Sequence, residues 1–188
     1  MGAAALQRNV HAIQAEFAAH CRLAEARGTV LDIGCGGGGI AAVLASDCRY
    51  IGVDPLPLPT PGGPLMVRAV GERLPLRAGT IDWVLILETL DHCQSPSATW
   101  AEVLRVLKPG GTLCLQQYVN RPGWRLRLTR WWRTSTPLGR LAPVDSPKVT
   151  LLDALDVLAL VRPAFAEVEV GRATQGPHLF VEARRRRE

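Results

Sequence analysis

The sequence predicts an α/β fold, a doubly wound and mostly parallel sheet in three αβα layers. Apolar runs of strand length alternate with segments of helical periodicity along most of the chain. The first such run, Thr29–Ile33, feeds directly into a cluster of glycines. The last two runs, Glu167–Val170 and Leu179–Glu182, have no helix between them, so an antiparallel strand is expected near the C-terminal edge.

Taken in order, residues 9–27 put Val10, Ile13, Phe17, Cys21 and Ala24 on one face, an amphipathic helix that Gly28 ends. Thr29–Ile33 is a buried strand. Ile40–Ala45 reads as a short helix of small residues, and Tyr50–Val53 as the second strand, ending at Asp54. The prolines of Pro55–Pro64 forbid a helix, because each removes a donor and clashes with the preceding turn. Leu65–Ala69 is a weak third strand and Ile81–Leu87 the fourth and most apolar. Ser95-Pro96 opens a helix as N-cap and first residue. That helix runs through Trp100, Val103, Leu104 and Leu107 to a stop at Lys108-Pro109-Gly110-Gly111. Thr112–Gln117 is the fifth strand, and residues 150–162 form a further helix. The loop between the last two strands holds Gly171, Gly176 and Pro177.

At 188 residues, with 47% hydrophobic and 21% charged residues, the chain suits one globular domain spanning 1–188. No apolar run reaches the ~18 residues that a membrane span needs. The start, MGAAALQRNV, lacks a secretory pattern, and Leu6 argues against myristoylation of Gly2; a cytoplasmic location is expected. Five cysteines without a CxxC pair read as reduced thiols, and no metal is expected. The net charge of +5 is local: residues 121–140 hold six arginines and no acid, and the basic tail 184–188 holds four more. Without them the body is net negative, so nucleic acid is the less favoured partner.

The strongest local signal is Val30 to Gly39, a strand running into glycines and then a helix. Without Cβ atoms the backbone turns sharply and a ligand can lie against it. Asp54 ends the next strand, where a carboxylate typically accepts hydrogen bonds from ribose hydroxyls. Together these indicate a cofactor containing a nucleoside, on a Rossmann-like domain. Gly34-x-Gly36-x-x-Gly39 also satisfies a dinucleotide pattern, which alone is weak. Asp32 would repel a pyrophosphate and suits a ligand with a positive amino group. A tight turn without ligand is the plain alternative.

The chain resembles the class I S-adenosylmethionine-dependent methyltransferases, in the small-molecule subgroup typified by quinone-biosynthesis enzymes. VLDIGCGGG (30–38), GVD (52–54), ERLPL (72–76), IDWVL (81–85), DHC (91–93) and EVLRVLKPGGTL (102–113) carry the resemblance over residues 28–118, the expected cofactor-binding core. It implies S-adenosyl-L-methionine as donor and S-adenosyl-L-homocysteine as product. It implies that the backbone of Gly34, Cys35, Gly36 and Gly38 wraps the methionyl part, with Asp32 near its amino group. Asp54, beside Pro55, would hold the ribose, Gly71 and Glu72 would border the adenine, and Leu87 and Glu88 would close the fourth strand beside the methionyl end. Two departures stand out. Val70 replaces an acid that contacts adenine in family members, and the proline run replaces a helix.

Methyl transfer from a sulfonium mainly needs alignment, with a base only where the acceptor must lose a proton. His92 is the candidate base, with Glu88 and Asp91 flanking it to orient it or bind a cationic acceptor; a loop-capping role is the bland alternative. Tyr118 and Asn120 are candidates for the acceptor pocket, whereas Cys35 and Cys93 read as packing residues. In 121–140, Trp124, Leu128, Trp131 and Trp132 share one helical face and arginines fill the rest. The segment reads as a lid, or as a contact for an apolar or anionic acceptor, for a membrane surface through 124–133, or for RNA. The expected function is methyl transfer to a small molecule. The rivals are an RNA methyltransferase, a silent cofactor-binding partner protein and, disfavoured by Asp32, a nicotinamide-dependent reductase.

Overall fold

The structure, a computed structural model, describes residues 3–59, 61–119, 152–174 and 176–187. A seven-stranded sheet in the order β3-β2-β1-β4-β5-β7-β6 organises them. Its strands are β1 (Thr29–Ile33), β2 (Arg49–Asp54), β3 (Leu65–Arg68), β4 (Ile81–Leu87), β5 (Leu107–Tyr118), β6 (Phe165–Arg172) and β7 (His178–Arg185). The first five are parallel; β7 runs antiparallel to both β5 and β6. The expected α/β architecture and its antiparallel edge are therefore present.

Side-chain alternation along each central strand divides the core in two, as the period of two requires. Val84 and Ile86 of β4, with Leu113 and Leu115 of β5, join the core built with helices α2 (Pro96–Val106) and α3 (Ala154–Val161). Between them, Leu85 and Cys114 join the core built with helix α1 (Ala3–His20), where Phe17 stacks edge-on against Phe180 at 5.8 Å. The three αβα layers follow directly. Ser95 caps α2 by accepting from the Ala98 N–H at 3.2 Å, with Pro96 in its first turn, as expected. Asp153 and Asp156 form a reciprocal cap on α3.

Several boundaries differ from expectation. The helix expected over 9–27 ends at His20; Arg22 is left-handed (φ 48°) and only a 3-10 turn, Leu23–Glu25, follows. Ile40–Ala45 is no α-helix but the 3-10 turn Gly39–Val43. Gly38 before it offers no side-chain cap, and a segment this short between two strands cannot repay helix nucleation. The helix expected to reach Leu107 ends at Val106, and β5 begins at Leu107 instead of Thr112. A shift in the β4–β5 register between Ile81 and Trp83 absorbs the Lys108–Gly111 insertion. The helix expected over 150–162 is Ala154–Val161, and Gly171 lies inside β6 instead of in a loop. The basic tail is not a free end either. Arg184 and Arg185 belong to β7, and Arg185 donates to the carbonyls of Leu104 and Leu107 at the end of α2, where a cation is favoured. Asn120, Trp124 and Trp131, and with them the expected lid 121–140, lie outside the described residues.

Candidate active site

A cavity of about 370 Å³ opens at the carboxyl ends of β1, β2 and β4, the place where open α/β sheets bind ligands. Gly34, Asp54, Pro55, Gly71, Glu72 and Leu87 all line it, as do Glu88 and His92. The structure thus brings together eight of the residues picked from the sequence, from segments nearly 60 positions apart.

The glycine loop explains part of its shape. Gly34 has φ 78°, and a Cβ there would lie 2.1 Å from the Thr89 hydroxyl oxygen. That hydroxyl lies 2.8 Å from the Leu87 carbonyl and 3.1 Å from that of Ile33, joining the ends of β4 and β1. Gly36, also left-handed (φ 50°), has nothing within 4 Å of where its side chain would stand. Its N–H donates to Asp54 Oδ2 at 3.0 Å, and its carbonyl accepts from the Leu58 N–H at 3.1 Å. Asp54 Oδ1 accepts from the Leu56 N–H at 2.8 Å. Asp54 therefore ties the glycine loop to the proline segment, and each oxygen keeps accepting capacity for a ligand hydroxyl.

Asp32 lies beneath this loop and not in the cavity wall. It is 3% exposed, and Tyr50 donates its hydroxyl to Oδ2 at 2.7 Å. Burial pushes its carboxyl up to about 6, against the Tyr50 hydrogen bond and helped by the charge of Asp54. Burial and Asp32 likewise push the Tyr50 hydroxyl well above the ordinary tyrosine range, so it stays a donor. Cys35 also lies outside the wall. Burial, then Asp32 and Asp54, push its thiol up to about 11, which makes it a packing residue. A Cβ at Gly52 would come within 2.7 Å of its sulfur.

On the next rim, Glu72 does more than border a ligand: its Oε1 accepts from the Ser95 N–H at 3.2 Å. Gly71 sits against α2, where a Cβ would meet Thr99 Cγ2 at 2.9 Å. Glu102 accepts from the Leu74 N–H, and Arg105 donates to the carbonyls of Leu74 and Leu76, so the 72–76 segment is fixed to α2. Val70, 45% exposed, lines the cavity with Ala69, so apolar side chains stand beside Glu72 on this rim.

The third rim corrects the expected catalytic pairing. Glu88 does not orient His92. Its Oε1 meets His178 Nδ1 at 2.7 Å and accepts from Gln116 Nε2 at 3.2 Å, and its Oε2 accepts from the Tyr118 N–H at 2.8 Å. Glu88 holds this position with φ 51°, a conformation costly for a residue with a Cβ. Tyr118, 37% exposed, packs edge-on to the His178 ring at 5.6 Å. His92 Nε2 is 3.8 Å from Asp91 Oδ1, too far for a hydrogen bond, and its side chain is 40% exposed. His178 was not singled out from the sequence. Its signal was faint: one histidine at the mouth of a strand after Gly176-Pro177, whose partner is set only by the Tyr118–His178 register of β5 and β7. Among the described residues no group of three or more His, Cys, Asp or Glu side chains is placed to hold a metal ion. No described helix is long and apolar enough to cross a membrane.

Residues 31–115 match a family model described as a methyltransferase domain. A protein named uncharacterized methyltransferase from Mycobacterium sp. (strain JLS) is 37% identical over 98 residues, covering 48% of this chain and 39% of that protein. Another of the same name from Mycobacterium ulcerans (strain Agy99) is 39% identical over 100 residues, with coverage of 48% and 39%. The match spans well under half the length of these curated relatives. Among solved structures, a SAM-dependent methyltransferase of Thermotoga maritima, described as a possible histamine N-methyltransferase, superposes with a TM-score of 0.65 at 17% identity, covering 94% of this chain and 91% of that one. The [4+2]-cyclase SpnF also superposes with a TM-score of 0.65 at 17% identity, covering 94% and 80%. At such identities the likeness is one of fold.

Proposed function

We propose, from the premise that residues 31–115 are a class I S-adenosylmethionine-dependent methyltransferase domain, that this protein transfers a methyl group to a small-molecule acceptor. The observation that carries the reading is the junction of the glycine loop with Asp54 on the wall of one cavity. That cavity lies in the range of roughly 300–1,000 Å³ usual for small-ligand sites. Gly36 leaves free the space a side chain would fill, so a ligand can lie on its backbone.

S-adenosylmethionine, when bound, supplies an activated methyl group on a positively charged sulfur. The backbone from Gly34 to Gly38 would hold its methionyl part. Asp32 beneath the loop would answer its ammonium, and a cation there would return the raised carboxyl to its ionised form. Asp54 would take the ribose hydroxyls, and Ala69 to Glu72 the adenine through backbone and apolar contact. Leu87 and Glu88 close the wall where the acceptor would approach. Holding donor and acceptor in line can contribute roughly 7–11 kcal/mol, so alignment and exclusion of water are the chain's main tasks.

Calorimetry with S-adenosylhomocysteine, S-adenosylmethionine and NAD(H) tests this reading. Binding of the first two and not the third is expected; NAD(H) binding alone would return the chain to the reductase class. The fold also serves a [4+2]-cyclase, and Val70 lacks an acid for adenine, so a silent cofactor-binding protein is the second reading. It predicts binding without transfer. For the acceptor, a small apolar molecule fits the mildly acidic body better than polyanionic RNA. Acceptor binding nearly independent of salt supports it, whereas a steep log-log fall with salt favours RNA.

A further inference from the structure

The sheet's antiparallel edge brings a second histidine against Glu88, behind the cavity wall that Glu88 lines. His178 enters β7 opposite Tyr118, the last residue of β5, and meets Glu88 at 2.7 Å through Nδ1. An ionised carboxylate only accepts, so the neutral imidazole carries its proton on Nδ1 here and keeps a lone pair on Nε2. Among the described residues Nε2 has no hydrogen-bond partner. It lies on the side of Gly176, where a Cβ would come within 3.3 Å of it. The His178 side chain is 16% exposed and that of Glu88 30%, so the pair is sheltered but within reach of solvent. Glu88 is itself fixed by Gln116 and the Tyr118 N–H, which leaves its carboxylate little freedom to turn away. A carboxylate that sets the tautomer at one ring nitrogen and leaves the other free is the arrangement that makes a histidine a general base. His92, 3.8 Å from Asp91, has no such orienting bond.

We infer that His178, positioned by Glu88, is the base of the site, and that the acceptor is therefore a molecule whose nucleophilic atom carries a proton it must lose, such as a phenol or a carbon acid. The inference rests on the methyl-transfer reading above. In the step, the acceptor atom forms a bond to the methyl carbon while the carbon–sulfur bond breaks and its electron pair returns to sulfur, leaving a neutral thioether. The acceptor's proton passes to His178 Nε2, and the imidazolium is balanced by the Glu88 carboxylate. No further reactant is needed.

Two measurements on the full chain test it. Imidazole ¹⁵N chemical shifts at neutral pH should show His178 as the Nδ1–H tautomer, and Glu88→Ala, which removes the acceptor, should abolish that preference; an Nε2–H tautomer in the native protein overturns the proposal. Transfer is then assayed with S-adenosylmethionine and three probes: a phenol, a 1,3-diketone and a tertiary amine, which has no proton to lose. Methylation of the phenol or the diketone is expected, falling about 10²–10⁴-fold in His178→Gln, which can still donate to Glu88. Added imidazole should restore part of that rate, which a purely structural loss would not allow. S-adenosylhomocysteine affinity should stay within about twofold in the variant. Undiminished transfer in His178→Gln, methylation of the tertiary amine alone, or no transfer to either proton-bearing probe overturns the base. Failure of the native chain to bind S-adenosylhomocysteine overturns the methyl-transfer reading instead.

Discussion

The two halves of the sheet meet a ligand by different means. On the β1–β2 side the contact surface is backbone: a glycine loop shaped by left-handed residues and tied down by Asp54. On the β4–β5–β7 side it is the side chain of Glu88, held by His178, Gln116 and the Tyr118 N–H. A backbone surface tolerates little change because its shape is the fold. A side-chain surface can be rebuilt one residue at a time. The same division decides how each half should respond to mutation.

The largest effect is expected from Gly34→Ala. The new Cβ would collide with Thr89 in a left-handed backbone, and the two penalties should cost about 4 kcal/mol of stability by denaturant titration. Gly36→Val separates shape from fold. Nothing crowds that position, so the fold bears only the left-handed strain, about 2 kcal/mol, while S-adenosylhomocysteine affinity falls at least ~100-fold, or about 2.7 kcal/mol, in calorimetry. Unchanged affinity would reduce the glycine loop to a turn and break the comparison. Asp32 is a buried carboxyl of the backbone half, and it should act on stability with the opposite sign. Its carboxyl stands at about 6 against an ordinary 3.8, so between these values the folded chain keeps a proton that the unfolded chain has lost. Stability should therefore fall as pH rises from about 4 to 6 and level off above. Asp32→Asn should remove that slope and gain about 2 kcal/mol at pH 7.5, while weakening S-adenosylmethionine binding. The smallest effect lies at the seam of the halves: Ser95→Ala removes the α2 cap and should lower stability by about 1 kcal/mol in thermal melts without touching donor affinity.

What could be read from the sequence divides along the same line. β1 and β4 match expectation to the residue, because short apolar runs between glycines or turns have one solution in a buried parallel sheet. The expected cofactor residues rest on local signals, glycine needs and a strand-ending acid, and the glycine loop does meet that acid through the Gly36 N–H and Asp54. The turn Gly39–Val43 misled because its residues favour a helix and only the short path to β2 forbids one. The partner of Glu88 differs from expectation for another reason. His92 is near Glu88 in sequence, but Glu88 is bonded to His178, 90 positions away, through the pairing of β5 with β7. No local pattern encodes that register.

That pairing also orders events in time. Synthesis runs from the amino end, at roughly 5–20 residues per second, so about 5–20 seconds separate the emergence of Glu88 from that of His178. During that interval the nascent chain already holds β1 to β4 and the glycine loop, whereas the slot between β5 and β6 awaits the strand that fills it. The residues of the proposed donor surface are thus synthesised before the Glu88–His178 pair can form, and a stall between residues 118 and 178 would yield a chain that has the first and lacks the second.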